Sequence, residues 1–248
     1  MILLLGGTSE TASLAQAMLD EGWRVLVSTA TDASLDLPPG VRRRVGRLDG
    51  PGLAVLAVAE GARALVDAGH PFAEELHWSA LQAAALAGLP LLRFERSSFQ
   101  SETALIAQDH REAARLAFSL GGPVLLTTGS RHLMPYVAEA RRTGLRLAAR
   151  VLDHPESHGA CEAVGLRHEE RILGRGPFSL EQNREALRGI GARALVSKDS
   201  GEAGGLVAKA EAAHREGAAL ILVSRPVSQG TYPDMPSLVE ALRPILGV

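Results

Sequence analysis

The sequence predicts an α/β chain of two similar halves, each a mainly parallel sheet wrapped by helices, with a cleft between them. Three observations carry this expectation. The first apolar run, Ile2 to Leu5, ends in Gly6-Gly7-Thr8 and passes at once into a segment of helical period. Strand-like apolar runs then alternate with alanine- and leucine-rich helical segments almost to the end, the pattern of parallel strands joined by crossover helices. A second strand, turn and helix begins at Val124-Leu125-Leu126-Thr127-Thr128-Gly129-Ser130, much as the first did. Two Rossmann-like halves of this kind place a cleft at the carboxyl ends of their strands, where open α/β sheets bind ligands.

Taken in order, strands are expected near 2–5, 24–28, 64–67, 89–94, 124–127, 145–150, 194–197 and 220–223, each a short, mostly apolar run suited to burial on both faces. Helices fill the gaps at 9–21, 52–60, 72–87, 110–120, 131–143, 180–189, 203–216 and 235–242, most of them closed by a glycine in the position expected after a helix. The periodic pattern pauses at Glu95-Arg96-Ser97-Ser98-Phe99-Gln100-Ser101. A domain boundary belongs there, giving a nucleotide-binding half over 1–97 and a second half over 98–248.

At 248 residues the chain is long enough to bury a substantial core, and 26 Lys and Arg against 28 Asp and Glu give a formal charge of −2. That balance offers no general attraction to nucleic acid or to an acidic membrane surface, so any anion site must be a local concentration of arginine. A single cysteine, Cys161, excludes an internal disulfide framework and argues against a thiolate metal site. Met1 opens directly into the first strand, with no basic leader and no run of bilayer length, so the expected location is cytoplasmic.

Gly6 and Gly7 let the backbone turn sharply while its N–H groups and the helix N-terminus face an anion such as a phosphate. The usual third glycine of a dinucleotide fingerprint is missing, its place taken by Thr11 or its neighbours, and a tight turn with no ligand is the simpler alternative. About twenty residues on, where an NAD site would carry an acid, stand the hydroxyls of Ser28, Thr29 and Thr31. Hydroxyls tolerate a 2′-phosphate, so NADPH is the expected cofactor, although Asp32 lies close by.

Asp67, His70 and Glu74 gather at the end of the strand near 64–67, with Pro71 opening the next helix. His70 could donate a proton or bind a carboxylate, or merely cap the helix. Arg93 and Arg96 flank the end of the following strand, and Arg225 follows the last one; each suits a carboxylate, or a neighbouring acid such as Glu95. The segment Leu195-Val196-Ser197-Lys198-Asp199-Ser200-Gly201-Glu202-Ala203-Gly204-Gly205 combines a lysine, hydroxyls and several glycine N–H groups, a set fitted to an anionic ligand. Gly174 to Asn183 forms another glycine-rich helix entry. His154-Pro155-Glu156-Ser157-His158 lacks a zinc-helix spacing, so no metal is expected. Arg42-Arg43-Arg44 with Arg47 reads as a solvated strand face, since no aromatic residues interleave for base stacking.

Six of these segments, in order along nearly the whole chain, resemble the precorrin-6A reductase family of corrin biosynthesis, which includes the cobalt-precorrin-6A reductases: Leu4-Leu5-Gly6-Gly7-Thr8-Ser9-Glu10, Asp67-Ala68-Gly69-His70-Pro71-Phe72-Ala73, Leu92-Arg93-Phe94-Glu95-Arg96, Gly176-Pro177-Phe178, Lys198-Asp199-Ser200-Gly201 and Arg225-Pro226. Gly69 departs from the hydroxyl residue usual in that family, Ser97-Ser98-Phe99 from its proline-and-tryptophan ending, and Thr11-Ala12-Ser13 from its frequent Ala-Arg. The resemblance implies NADPH-dependent reduction of one ring double bond of precorrin-6A to precorrin-6B in cobalamin biosynthesis. It assigns Gly6, Gly7, Thr8, Ser28 and Thr29 to the cofactor, His70 and Lys198 to catalysis, and Arg93, Arg96, Ser200 and Arg225 to substrate carboxylates. The implied partner is a small-molecule tetrapyrrole, the implied assembly a monomer or weak homo-oligomer. The rival readings are a two-domain binding protein for an anionic ligand and a uroporphyrinogen-synthase-like cyclase, and the hydroxyls beside the glycine turn favour the reductase over both.

Overall fold

The computed structural model describes residues 1–96, 98, 99, 101, 103–201, 205–226 and 231–247. In chain order its elements are β1 (Ile2–Leu5), α1 (Thr11–Asp20), β2 (Val25–Thr29), β3 (Arg42–Val45), α2 (Gly50–Ala59), β4 (Ala64–Asp67), α3 (Glu74–Ala87), β5 (Leu91–Phe94), β6 (Leu105–Ala107), α4 (His110–Ser119), β7 (Val124–Leu126), α5 (Met134–Thr143), β8 (Leu147–Val151), α6 (Pro155–Ala163), β9 (Arg171–Leu173), α7 (Leu180–Ile190), β10 (Ala194–Lys198), α8 (Leu206–Arg215), β11 (Ala219–Val223), β12 (Thr231–Tyr232) and α9 (Met235–Leu246). The expected α/β class is the observed one: two sheets of six parallel strands. Among the described residues no helix is long and apolar enough to cross a membrane.

The chain divides into two compact units, Met1–Ser97 with Pro226–Val248, and Ser98–Arg225. The last segment thus differs from the simple division at residue 97, and its side chains give the reason. Leu238, Leu242 and Leu246 of α9 are buried against Ile2, Leu4, Leu14 and Met18 of the first unit. Each such side chain contributes about 1.5–3 kcal/mol on burial, enough to fix which sheet the helix covers. Arg63 fastens its end, donating to the carbonyls of Ile245 and Leu246, both at 2.6 Å.

In the first unit the strand order is β12-β5-β4-β1-β2-β3. Alternation along β1 sends Ile2 and Leu4 into the cluster with α1 and α9, and Leu3 and Leu5 into the opposite cluster with Leu53 of α2 and Ala80 of α3. The parallel register pairs Leu5 with Ser28 on one side and with Asp67 on the other, and Asp67 with Arg93. Residues far apart in sequence therefore end at one carboxyl edge.

The second unit repeats the plan in the order β6-β11-β10-β7-β8-β9. Leu125, Ala148, Leu195 and Leu222 pack under Leu187 of α7 and Leu206 and Ala212 of α8. Lys198 pairs with Val223 at the carboxyl edge.

Three strands, β6, β9 and β12, and helix α6 were not expected from the sequence, while β3 carries the arginine run that reads as a solvated strand face. In α6, His154 serves as the N-cap and accepts from the Glu156 N–H, with Pro155 in the first turn. Among the described residues no group of three or more His, Cys, Asp or Glu stands in an arrangement that could hold a metal ion, and His158 of α6 lies 2.8 Å from Asp153 Oδ1.

Candidate functional site

The glycine turn after β1 closes on Thr11, the first residue of α1. Thr11 is fully buried, and its Oγ1 accepts from the N–H of Gly7 at 2.9 Å and of Thr8 at 3.1 Å. A Cβ on Gly6 would lie 2.4 Å from Thr11 Cγ2, and Gly7 sits at φ +112°, so both glycines are required by the turn. Thr11 thus takes the place of the third glycine, and its hydroxyl occupies two donors that the sequence had offered to a phosphate. The helix N-terminus beyond them, at Ser9 and Glu10, keeps its dipole for an anion.

Ser28 and Thr29 are buried at the end of β2, beside this turn. Gly6 N–H donates to the Ser28 carbonyl at 3.0 Å. Thr29 Oγ1 donates to the Thr31 carbonyl at 2.9 Å and accepts from Arg43 Nε at 3.1 Å. Arg43 Nη2 adds bonds to the carbonyls of Thr31 and Ala33, both at 2.9 Å. Arg42 and Arg47 face outward and pair with Glu60 and Glu75, as a solvated strand face would. Arg43 does not; it places a guanidinium at the exit of β2, and sequence reasoning missed it because it sits inside an arginine run.

At the end of β4, Asp67 is 1% exposed. Its partner is neither His70 nor the exposed Glu74. Asp67 Oδ2 lies 2.6 Å from His77 Nδ1, and Oδ1 accepts from the Gly69 N–H at 3.0 Å. His77 Nε2 in turn lies 3.0 Å from the His70 carbonyl oxygen. One ring from the first turns of α3 therefore ties the buried carboxylate to the turn that carries His70. His70 Nδ1 accepts from the Phe72 N–H at 3.3 Å, which leaves the ring proton of the neutral form on Nε2. Thr8 Oγ1 donates to the Ala68 carbonyl at 3.2 Å and joins this turn to the glycine turn.

Arg93, within β5, and Arg96, just beyond it, are both half-buried and paired. Arg93 Nε lies 3.6 Å from Glu95 Oε2, and Arg96 bonds Glu10 and lies 3.5 Å from Ser9 Oγ. Arg96 neutralises an acid at the N-terminus of α1, where a carboxylate alone would repel an incoming phosphate.

In the second unit Lys198 ends β10, and Ser200 is buried just beyond it. Asp199, also buried, is the hub of this loop: Oδ1 accepts from the N–H groups of Phe99 at 3.1 Å and Gly201 at 3.2 Å, and from Arg225 Nη2 at 3.3 Å. Arg225 Nε donates to the Asp199 carbonyl at 2.9 Å, so the arginine holds the loop as well as the edge it lines. Glu202, Ala203 and Gly204 lie outside the described residues.

Two further groups on this carboxyl edge were absent from the sequence reading. His110 stacks on His132, ring centres 4.2 Å apart, with its Nδ1 2.9 Å from the Tyr136 hydroxyl. Burial, then the charges of His132 and Lys198, push His110 down to about 4, and burial pushes the Tyr136 phenol up. The second group is Arg150 with Lys209. Its one sequence signal was an arginine within the apolar run Leu147-Ala148-Ala149-Arg150-Val151, since a charge on a strand buried on both faces demands a reason.

The sequence-expected residues thus fall at two carboxyl edges: Gly6, Gly7, Thr8, Ser28, Thr29, His70, Arg93 and Arg96 in the first unit, and Lys198, Ser200 and Arg225 in the second.

Residues 1–243 match the family model of the precorrin-6x reductases CbiJ/CobK. The chain is 34% identical to a cobalt-precorrin-6A reductase of Priestia megaterium over 98% of both chains, and 30% identical to a precorrin-6A reductase of Rhodobacter capsulatus over 91% of this chain and 88% of the other. A solved structure of CobK precorrin-6A reductase superposes with a TM-score of 0.75 at 26% identity, covering 98% of this chain and 96% of that one.

Proposed function

The chain belongs to the CbiJ/CobK precorrin-6x reductase family, oxidoreductases of cobalamin biosynthesis acting on a C=C bond, and from that premise we propose that it reduces one ring double bond of precorrin-6A, or of its cobalt form, with NADPH, as a cytoplasmic enzyme. The observation that carries the cofactor choice is Arg43, fixed on Thr29 at the exit of β2. A guanidinium and hydroxyls at that position suit a 2′-phosphate, where an acid would suit the bare ribose of NAD. The residues present fit the cofactor: a glycine turn, a helix N-terminus whose Glu10 is neutralised by Arg96, and a cation beside the ribose position.

The bound nicotinamide supplies the hydride, so no protein nucleophile is needed. Gly6, Gly7 and Thr8 shape the pyrophosphate cradle at the helix N-terminus, with Thr11 Oγ1 accepting from the N–H groups of Gly7 and Thr8 and the Ser28 carbonyl from that of Gly6. Ser28 and Thr29 line the ribose side. The proton that completes the reduction is assigned to His70, its turn held by His77, acting as the imidazolium, which requires Nδ1 to give up the Phe72 N–H and take a proton before Nε2 donates; Lys198 is the second candidate donor. Arg93, Arg96, Ser200 and Arg225 meet the acetate and propionate groups of the macrocycle; Arg93 and Arg225 can exchange an internal acid for a substrate carboxylate, while Arg96 keeps Glu10 neutralised.

The test is incubation of the purified protein with precorrin-6A and NADPH, following nicotinamide absorbance and tetrapyrrole mass together. NADPH loss matched by a gain of two hydrogens establishes the reaction. No NADPH consumption with either precorrin-6A or its cobalt form overturns the reading.

A further inference from the structure

Among the described residues two cations of the second unit, one buried and one half-buried, have no counter-charge. Arg150, on β8, is 6% exposed; Nη1 donates to Asn183 Oδ1 at 2.7 Å, and its guanidinium carbon lies 4.0 Å from the centre of the Phe178 ring. Its Nε is buried and has no partner among the described residues, as is Thr128 Oγ1 just after β7. Lys209 reaches in from α8, with Nζ donating to Ser197 Oγ at 3.0 Å. Burial and the nearby charge of Arg150 push this ammonium down to about 8. Among the described residues neither cation pairs with a carboxylate.

The position is equally specific. Ala148 and Leu195 belong to the apolar cluster under α7 and α8. Arg150 and Ser197 follow them by two residues on β8 and β10, so they share that face one step nearer the carboxyl edge. Lys209 supplies three N–H donors and Arg150 five, yet only one acceptor is seen for each. Burying one charge and half-burying another that repels it costs several kcal/mol, and a third group of opposite sign with many lone pairs resolves it. An oxyanion is such a group.

We propose that Arg150 and Lys209 form an oxyanion site of the second unit that takes one side-chain carboxylate of the tetrapyrrole substrate. The site itself follows from the unpaired cations; its occupant rests on the reductase reading. A carboxylate of the substrate is favoured over a cofactor phosphate because the proposed function already assigns the cofactor's phosphates to the glycine turn and Arg43, while Ser197 adjoins Lys198 on β10.

The experiment uses the whole protein. Lys209→Met is expected to weaken precorrin-6A binding about tenfold or more, as loss of a charge-assisted hydrogen bond does, and to leave the KM for NADPH unchanged. It is also expected to raise the melting temperature of the ligand-free protein, because one of two repelling charges is gone. Lys209→Arg should restore most of the affinity. Acetate serves as a probe independent of the substrate, and should raise the melting temperature of the wild type more than that of Lys209→Met. A melting temperature that falls while precorrin-6A affinity is unchanged makes Lys209 structural and overturns the proposal; a loss confined to NADPH assigns the anion to the cofactor and overturns it too. A wild type that binds no precorrin-6A but responds to acetate through Lys209 keeps the oxyanion site and removes the reductase reading. Unchanged precorrin-6A affinity with no Lys209-dependent acetate effect removes the site and leaves the reductase.

Discussion

His77 Nδ1 and Asp67 Oδ2 lie 2.6 Å apart beneath the turn that carries His70. The other ring nitrogen lies 3.0 Å from the His70 carbonyl oxygen, so one ring bridges the buried carboxylate and that turn. Gly69 leaves the space: a Cβ there would lie 2.6 Å from Leu76 Cδ2, 3.1 Å from Asp67 Oδ1 and 3.3 Å from His77 Cε1. Glycine at 69 and histidine at 77 are therefore one arrangement. A hydroxyl side chain at 69 would compete for the same carboxylate.

The first prediction follows from that pairing. His77→Leu strands a buried carboxylate and is expected to cost about 2–3 kcal/mol in urea unfolding. Gly69→Ser alone should also destabilise, but Gly69→Ser combined with His77→Ala should cost less than the sum of the two single changes, because the serine can bond Asp67 once the ring is gone. Strict additivity would show that the two positions do not share Asp67.

The second concerns Arg43. Arg43→Met is expected to raise the KM for NADPH about tenfold or more while changing that for NADH far less, and Arg43→Lys should recover part of the loss. Equal losses for both cofactors would mean that Arg43 acts only by holding the loop from Thr29 to Ala33.

The expected α/β class is the one observed, and the strands missed are all alike. Each of β6, β9 and β12 is an edge strand, as is β3, whose arginines alone marked it as a strand face. Central strands such as β1 and β4 are buried on both faces and so read as apolar runs. An edge strand covers one face at most; β3 is Arg-Arg-Arg-Val, β12 two residues long, and neither carries a periodic signal. The same physics hid part of the site. Glycines, Ser28 and His70 stand in turns, where polar residues attract notice. His77, Arg150 and Lys209 lie within helices and a strand, where only the fold shows what faces a charge.

Asp199 carries the third prediction. Its carboxylate holds two backbone N–H groups and Arg225. Asp199→Ala removes the carboxylate facing a half-buried guanidinium and the acceptor of two backbone N–H groups, and is expected to cost about 3 kcal/mol or more and to raise the KM for the tetrapyrrole. Asp199→Asn keeps an acceptor for the N–H groups and should recover stability better than substrate affinity. The two losses are separated by comparing urea midpoints with KM.

The last prediction is a pH dependence of stability. His110 has an ordinary value of 6.5 and is pushed down to about 4, by burial first and then by the charges of His132 and Lys198, with Asp109 opposing. The folded protein therefore disfavours the charged ring. Above pH 6.5 the ring is neutral folded and unfolded, and contributes no slope. Between 6.5 and about 4 the unfolded chain takes up a proton that the folded one refuses, so stability falls as the pH falls through that window, and the fall ends near 4. Carboxylates also titrate at its lower end, so the comparison is with a variant. His110→Gln keeps a polar group facing the Tyr136 hydroxyl without a titrating ring. Its urea midpoint should decline less than the wild type's between pH 6.5 and 4.5, and parallel declines would show that the imidazole is not held neutral by its neighbours.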